Sequence, residues 1–471
     1  MVIPTTEGDY SLKDNWTGCD AFLFIQDEPS QNKNYNWPIP LWDRDIDTLL
    51  ERSPRNTRLF FVSVEPGIGA FAKVEGMKTR VDEVLATLSE EDRSWWSRRL
   101  HYVTQTASAL PGWLGHVMAT PGWGVGIDRL QRLRYIGSYA DPTRHSSSAG
   151  WFAPNLSMAA NEVVQYNFEA EREARLEAQD ATVVNVFPGG TGSDGAATDV
   201  VLPDATTMAG FDSLELDMTM ACIGDGEFGD CPAWDYMSYV YICDDPNDPD
   251  NCGTELGRWI TTYHREGRWV HDVSGLLPLL ASGGTHRFKF QCSNSYEVKL
   301  DLRLFNQGKA ARPEETTYLF DSWGVPFNAT YNDGFQPIDV AIPSDAVTVE
   351  LASIISGHGM ESPGNCAEFC VTSHHFFVNG NENVVTLSDA DDQYGCMDQV
   401  DEGTVANQYG TWWYGRSGWC PGKEVPFEVM DITNQVTLGA NNTFDYEGYY
   451  NGQPYSGSAN IRLRSWLIVS K

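Results

Sequence analysis

From about residue 181 onward the chain almost ceases to show helical periodicity. It becomes a series of short apolar runs cut by Gly, Pro, Asn and Asp clusters. A stretch this long without amphipathic helices can bury its side chains only between sheets, so sandwiches or barrels are the available architectures. Thr182–Phe187, Ser213–Met218, Tyr239–Ile242, Arg287–Phe290 and Val298–Leu304 alternate like half-buried antiparallel strands. Pro313-Glu-Glu-Thr reads as a break, after which Asp339–Ile342, Thr348–Ile355, His375–Val378, Asn383–Thr386 and Asn460–Val469 form a second set. Two jelly-roll sandwiches fit this count, over residues 181–313 and 314–471.

Residues 1–180 have a different texture. Ala21–Gln26 and Arg58–Val64 read as buried strands, separated by a short amphipathic helix over Asp43–Arg52. A long helix is expected over Arg80–Leu100, with Val81, Val84, Leu85 and Leu88 at helical spacing and Ser89-Glu-Glu-Asp as polar filling. Val125–Asp128 and Arg132–Gly137 read as a hairpin, and Ala159–Gln179 as a helix with a solvated, charged end. This β-α-β-α-β-β-α order, with Thr120-Pro121 before the third strand, resembles a thioredoxin-like fold. No Cys-x-x-Cys follows the first strand, and the one cysteine of this part, Cys19, precedes it, so dithiol chemistry is not expected. An accessory domain is the reading, with His101, His116 and His145 as surface or packing residues.

The formal charge of -33, from 65 acidic and 32 basic residues, repels a phosphate backbone and excludes nucleic acid as a partner. Hydrophobic residues at 41% argue against reading that acidity as disorder. No apolar run approaches the ~18 residues of a membrane helix. The first residues lack the basic start and apolar core of a signal peptide, so an export signal is expected to have been removed or never present. Nine of the ten cysteines lie from Cys222 onward. Cys222 and Cys231 flank an acidic Gly-rich loop, and Cys243 and Cys252 flank an Asp-rich one, as clamps in an oxidising compartment would. A secreted or periplasmic protein is expected. Zinc is the competing reading for Cys366, Cys370 and His374, at Cys-x3-Cys-x3-His spacing. The acidic loops Asp244–Asp250 and Asp389–Asp392 could hold calcium, but they lack a regular ligand spacing, so solvated surface is preferred.

The residues that carry chemistry gather around Cys366-Ala-Glu-Phe-Cys370, which sets Glu368 between two cysteines. Ser356-Gly-His-Gly359 lies upstream, His374-His375 and Gly415-Arg-Ser-Gly-Trp-Cys-Pro-Gly422 downstream, and a second carboxylate, Asp235, lies in Cys231-Pro-Ala-Trp-Asp-Tyr236. Together with Gly257-Arg-Trp-Ile-Thr-Thr-Tyr263, Val270-His-Asp-Val273 and Ile355-Ser-Gly357, these stretches resemble, in order, the bacterial peptide-N-glycosidase F family over about residues 181–471. The resemblance implies a mainly β protein of two side-by-side antiparallel jelly rolls with the active site at their interface. It implies hydrolysis of the amide between an asparagine side chain and the first N-acetylglucosamine of N-glycoproteins, leaving aspartate and releasing the glycan. No cofactor and no metal are expected, and a monomer is.

Carried over by position, the family's principal catalytic aspartate falls on Asp235 and a second essential acid on Glu368. Two carboxylates in different settings can activate a water and manage the departing nitrogen. Trp234 and Trp419 offer flat faces for a sugar, Arg416 can hold a carboxylate or a substrate carbonyl, and Tyr236 and His358 complete the substrate contacts. The family pattern also implies disulfides Cys222–Cys231, Cys366–Cys370 and Cys396–Cys420, while proximity suggests Cys243–Cys252; Cys19 and Cys292 have no obvious partners. This chain departs from the family in three places. No carboxylate stands at or near Cys292, where a third acid is expected, Tyr236 replaces an arginine, and His358 replaces a tryptophan. The alternatives are a non-catalytic glycan-binding or surface protein on the same fold, and a copper-binding double jelly roll using His358, His374 and His375.

Overall fold

The computed structural model describes residues 1–27, 42, 46–119, 124–137, 156–192, 196–224, 230–243, 252–362, 365–407, 410–450 and 459–471. Thr120-Pro121, Asp43 to Asp45, His145 and the acidic loop Asp244–Asp250 lie outside these residues. The chain divides into two compact units. One comprises Met1–Arg172 with Val400–Glu402 and Ala406–Thr411, the other Glu173–Gln399, Gly403–Val405 and Trp412–Lys471.

In the first unit, β1 (Val2–Thr5) and β2 (Gly8–Ser11) form a hairpin. There follow β3 (Ala21–Gln26), α1 (Ile46–Arg52), β4 (Thr57–Val62), α2 (Ile68–Leu85), α3 (Glu90–Ser97), β5 (Leu100–Tyr102), α4 (Gly112–Val117), β6 (Gly124–Ile127), β7 (Leu133–Gly137) and the start of α5 (Leu156–Ala178), whose residues from Glu173 onward belong to the second unit. The sheet runs β5-β4-β3-β6-β7, with β3, β4 and β5 parallel and β6 and β7 antiparallel. β3 is apolar from Ala21 to Ile25 because it is buried on both faces: Ala21, Leu23 and Ile25 enter one core, Phe22 and Phe24 another. The helix expected over Arg80–Leu100 is two helices. Ser89 ends the pattern because its Oγ accepts a hydrogen bond from Asp92 N at 3.0 Å, which makes it the N-cap of α3 and not filling. The charged end of α5 is not simply solvated either, because Leu176 is buried and Arg175 pairs with Glu215 at 2.5 Å.

The second unit contains two sandwiches. The first is built from β8 (Thr182–Gly192), β9 (Ala196–Asp204), β10 (Ser213–Ala221), β11 (Met237–Ile242), β12 (Thr254–Ile260), β13 (Gly267–Asp272), β14 (Gly283–Cys292) and β15 (Tyr296–Phe305). The second contains β16 (Pro313–Asp321), β17 (Ile338–Ala341), β18 (Thr348–His358), β21 (Thr372–Val378), β22 (Asn381–Thr386), β24 (Glu428–Asp431), β25 (Asn441–Tyr450) and β26 (Asn460–Ser470). Between them in the chain come the small hairpin β19 (Met360–Ser362) and β20 (Asn365–Cys366), and β23 (Lys423–Glu424). The sheets are β13-β10-β15-β8 and β23-β12-β11-β14-β9, then β16-β26-β18-β24 and β17-β25-β21-β22. Counted along each sandwich from its own first strand, and leaving β23 aside, one sheet of each holds the first, eighth, third and sixth strands, and the other the second, seventh, fourth and fifth. This is a double jelly roll.

Pro313 does not mark a break. It opens β16, an edge strand, where the missing N–H leaves no ladder bond unmade. Alternation explains how the sandwiches join. On β18, Val349, Leu351 and Ile355 enter the second sandwich's own core, whereas Ala352 and Ile354 enter the core of the first. On β26, Trp466 and Ile468 do the same. β23 completes the junction by pairing with β12, Trp259 opposite Glu424 and Ile260 opposite Lys423. The loops at this junction are therefore held by continuous core on both sides. All four expected disulfides are present, Cys222–Cys231, Cys243–Cys252, Cys366–Cys370 and Cys396–Cys420.

Candidate active site

Asp235 lies in the loop between Cys231 and β11. Thr261, just after β12, pins that loop: its Oγ1 donates to Trp234 O at 3.0 Å and accepts from Tyr236 N at 2.8 Å, while its N–H donates to Tyr236 O. Asp235 is thereby fixed with its side chain 18% exposed. Its Oδ2 accepts from Tyr263 Oη–H at 2.7 Å and lies 3.9 Å from Arg416 Nη2. Burial raises its pKa above the ordinary aspartate value, and the Tyr263 hydrogen bond and the Arg416 charge only partly oppose that.

Glu368 is presented by the loop that the Cys366–Cys370 disulfide closes. Its Oε2 accepts from Gly359 N at 3.1 Å and its Oε1 lies 3.5 Å from Arg416 Nε. The loop is drawn onto β18 because Ser417 N donates to Glu368 O and Gly357 N to Ser417 O, each at 2.8 Å. A Cβ on Gly357 would fall 2.0 Å from Ala367 O, so only glycine allows this approach. Burial is the main cause of an upward pKa shift at Glu368 as well, and Asp235 adds to it through space. The two carboxylates, one from each sandwich, thus share a single guanidinium.

Arg416 is 1% exposed and lies over the rings of Phe369, at 4.6 Å, and Trp419, at 5.2 Å. Its Nη2 donates to Tyr263 Oη at 3.4 Å, so guanidinium, phenol and Asp235 form a chain. Trp419 does not offer a free face to a sugar. It is 5% exposed, donates to Gly357 O at 2.7 Å, and stacks on His358 with ring centroids 5.2 Å apart. Trp234 is 63% exposed beside Asp235. His358 Nε2 meets Ser356 Oγ at 2.8 Å, and burial, Arg258 and Arg462 push its pKa down to about 3, so it is neutral. Tyr236 is half-buried and contributes backbone hydrogen bonds.

The two metal alternatives lose their ligands. Cys366 and Cys370 are consumed in a disulfide. His374 is fully buried between Tyr446 Oη, 2.7 Å from Nδ1, and Thr372 Oγ1, 3.1 Å from Nε2. His375 is committed to Glu382 and Ser373. In the Asp389–Asp392 loop, Asp389 accepts from Gln399 and Asp392 from Tyr394 N. His101 is a packing residue, stacked on Phe60.

Both site carboxylates are destabilising when ionised, since their folded pKa values lie above the unfolded ones. For Glu368, stability is fully present below the ordinary glutamate value of 4.5 and falls as pH rises through the folded value. Glu368→Gln should therefore melt at or above the parent temperature at pH 7, with the difference vanishing below about pH 4. Melting curves across pH check this; a Gln variant less stable at pH 7 but matched at pH 4 would refute it.

Residues 327–470 match the family model described as peptide-N-glycosidase F, C terminal. A peptide-N(4)-(N-acetyl-β-D-glucosaminyl)asparagine amidase F from Elizabethkingia miricola is 26% identical over 273 residues, covering 51% of this chain and 70% of that protein. The crystal structure of a peptide-N(4)-(N-acetyl-β-D-glucosaminyl)asparagine amidase covers 62% of this chain and 96% of its own length, at a TM-score of 0.51 and 21% identity. Residues 327–470 therefore belong to the C-terminal peptide-N-glycosidase F family. Within that family frame, the position where a third acid was expected is Cys292, buried on β14 opposite Ser238. Sequence reasoning missed Tyr263, Phe369 and Ser356. Tyr263 ends a stretch that already carried the family resemblance, but nothing in its neighbours announces that its hydroxyl reaches Asp235 from across the loop. Phe369 was hidden by its position between Glu368 and Cys370.

Proposed function

We propose that the protein is a secreted, monomeric peptide-N-glycosidase in which Asp235 and Glu368 are the catalytic pair. The observation that carries this reading is the meeting of the two carboxylates, from different sandwiches, on one buried arginine. A carboxylate with a raised pKa is a stronger base than an ordinary one. Asp235 takes a proton from water as its oxygen adds to the asparagine side-chain carbonyl carbon. The C–N bond then breaks with a proton delivered to nitrogen, which leaves aspartate on the peptide and an amine on the sugar. Glu368, oriented by Gly359 N and Arg416, holds the first sugar and the water network. The exposed ring of Trp234 offers that sugar an apolar face.

We further assign residues 1–180 to an accessory thioredoxin-like domain, 181–313 to the first jelly roll and 314–471 to the second. The β5-β4-β3-β6-β7 sheet, a parallel β-α-β unit followed by an antiparallel hairpin, supports the first assignment. The four disulfides support an oxidising location. Incubation with a denatured N-glycoprotein should convert glycosylated Asn to Asp, read by peptide mass spectrometry, and EDTA should leave the conversion intact. Glycopeptide binding without conversion would instead support the non-catalytic alternative, which the absence of an acid near Cys292 favours.

A further inference from the structure

A second set of aromatic and cationic groups lies on the second sandwich. Trp323 is 53% exposed, and the Arg462 guanidinium sits 4.3 Å from its ring centroid. Tyr318, also exposed, is backed by Arg464, which lies 5.6 Å from its ring centroid and donates to its Oη at 2.8 Å. The arginines are two residues apart on β26, so they project from the same face, about 7 Å apart along the strand.

Their charge balance differs. Arg464 pairs with Asp321 at 3.0 Å and approaches Glu255 at 3.7 Å, and Arg258 also engages Glu255, at 2.9 and 3.0 Å. Arg462 has no carboxylate partner among the described residues, and its buried Nε has no hydrogen-bond partner among them. In a chain of formal charge -33, a guanidinium held uncompensated against an exposed indole marks a place for an anion. The place is continuous with the candidate active site. Arg462 is directly opposite Ser356, whose Oγ accepts from Arg258 at 2.7 Å and meets His358, and His358 precedes the Gly359 that holds Glu368.

We propose that Trp323 and Arg462 form an outer subsite for a carboxylate-bearing sugar of the glycan. Arg462 covers one face of the indole, so the exposed remainder can receive the apolar side of a pyranose while the sugar's carboxylate reaches the guanidinium at the ring edge. That the ligand is an N-glycan rests on the reading given under Proposed function.

The test uses the full chain and free oligosaccharides: one ending in a carboxylate sugar, and the same one with that sugar removed. Titration calorimetry should show tighter binding of the acidic form. Arg462→Met should cut that preference roughly tenfold, Arg462→Lys should keep part of it, and Trp323→Ala should weaken the acidic form with its fold intact by circular dichroism. Equal affinity of the parent chain for both oligosaccharides, or an undiminished preference in Arg462→Met, overturns the subsite. Glycopeptide cleavage by the parent chain is measured separately. A chain that cleaves but shows no acidic preference loses the subsite alone; one that prefers the acid without cleaving loses the amidase reading alone.

Discussion

Asp235→Asn should fold, bind glycopeptide and turn it over roughly 10²–10⁴-fold more slowly than the parent chain. The substitution keeps the shape and the ability to accept from Tyr263 Oη–H, so the Trp234–Tyr236 loop retains its hold on Thr261. What disappears is the group able to take a proton from water. Asparagine also removes a buried negative charge whose pKa is raised mainly by burial, so folding at neutral pH should not suffer. Circular dichroism, glycopeptide binding and mass-spectrometric turnover together decide the matter. A folded Asp235→Asn variant that cleaves at the parent rate would place the base elsewhere.

The jelly rolls were legible because alternation is a local property: each strand of β18 or β26 type carries its period in its own residues. Pro313 misled because proline is equally compatible with a turn and with the first position of an edge strand, and only the sheet order distinguishes the two. Ser89 misled for a similar reason, since a polar run that looks like a helix surface is also what an N-cap looks like. At the site, Asp235 and Glu368 were found through a family pattern, and local spacing alone would not have joined them. The environment of Trp419 was not legible at all. Its burial depends on Gly357 and His358 arriving from a distant point in the chain, and a tryptophan beside an arginine reads the same whether it lines a cleft or closes a core.

Arg416→Met should be the most damaging single change at the site, and its damage should depend on pH. Methionine can fill the space between Phe369 and Trp419, so packing survives while the charge that Arg416 sets against both carboxylates is lost. Asp235 and Glu368, already pushed upward by burial, then lose an interaction that holds their pKa values down. Two consequences follow. Removing one partner of a buried ion pair should cost about 3 kcal/mol at neutral pH, the low end for such losses, because the carboxylates keep 18% and 21% exposure. That deficit should shrink as pH falls through the raised values, where both acids protonate and no longer need the cation. Turnover at pH 7 should fall at least 10²-fold, and the acid limb of kcat/KM should move to higher pH, because a larger share of Asp235 is protonated. Arg416→Lys should lie between, since an ammonium restores charge but cannot span two carboxylates and Tyr263 as a fork does. Melting curves and pH–rate profiles on the three proteins separate the two roles of this residue. A stability deficit in Arg416→Met that is constant from pH 4 to pH 8, with an unshifted acid limb, would mean that the arginine only packs and that the carboxylates are tuned by something other than the charge they share.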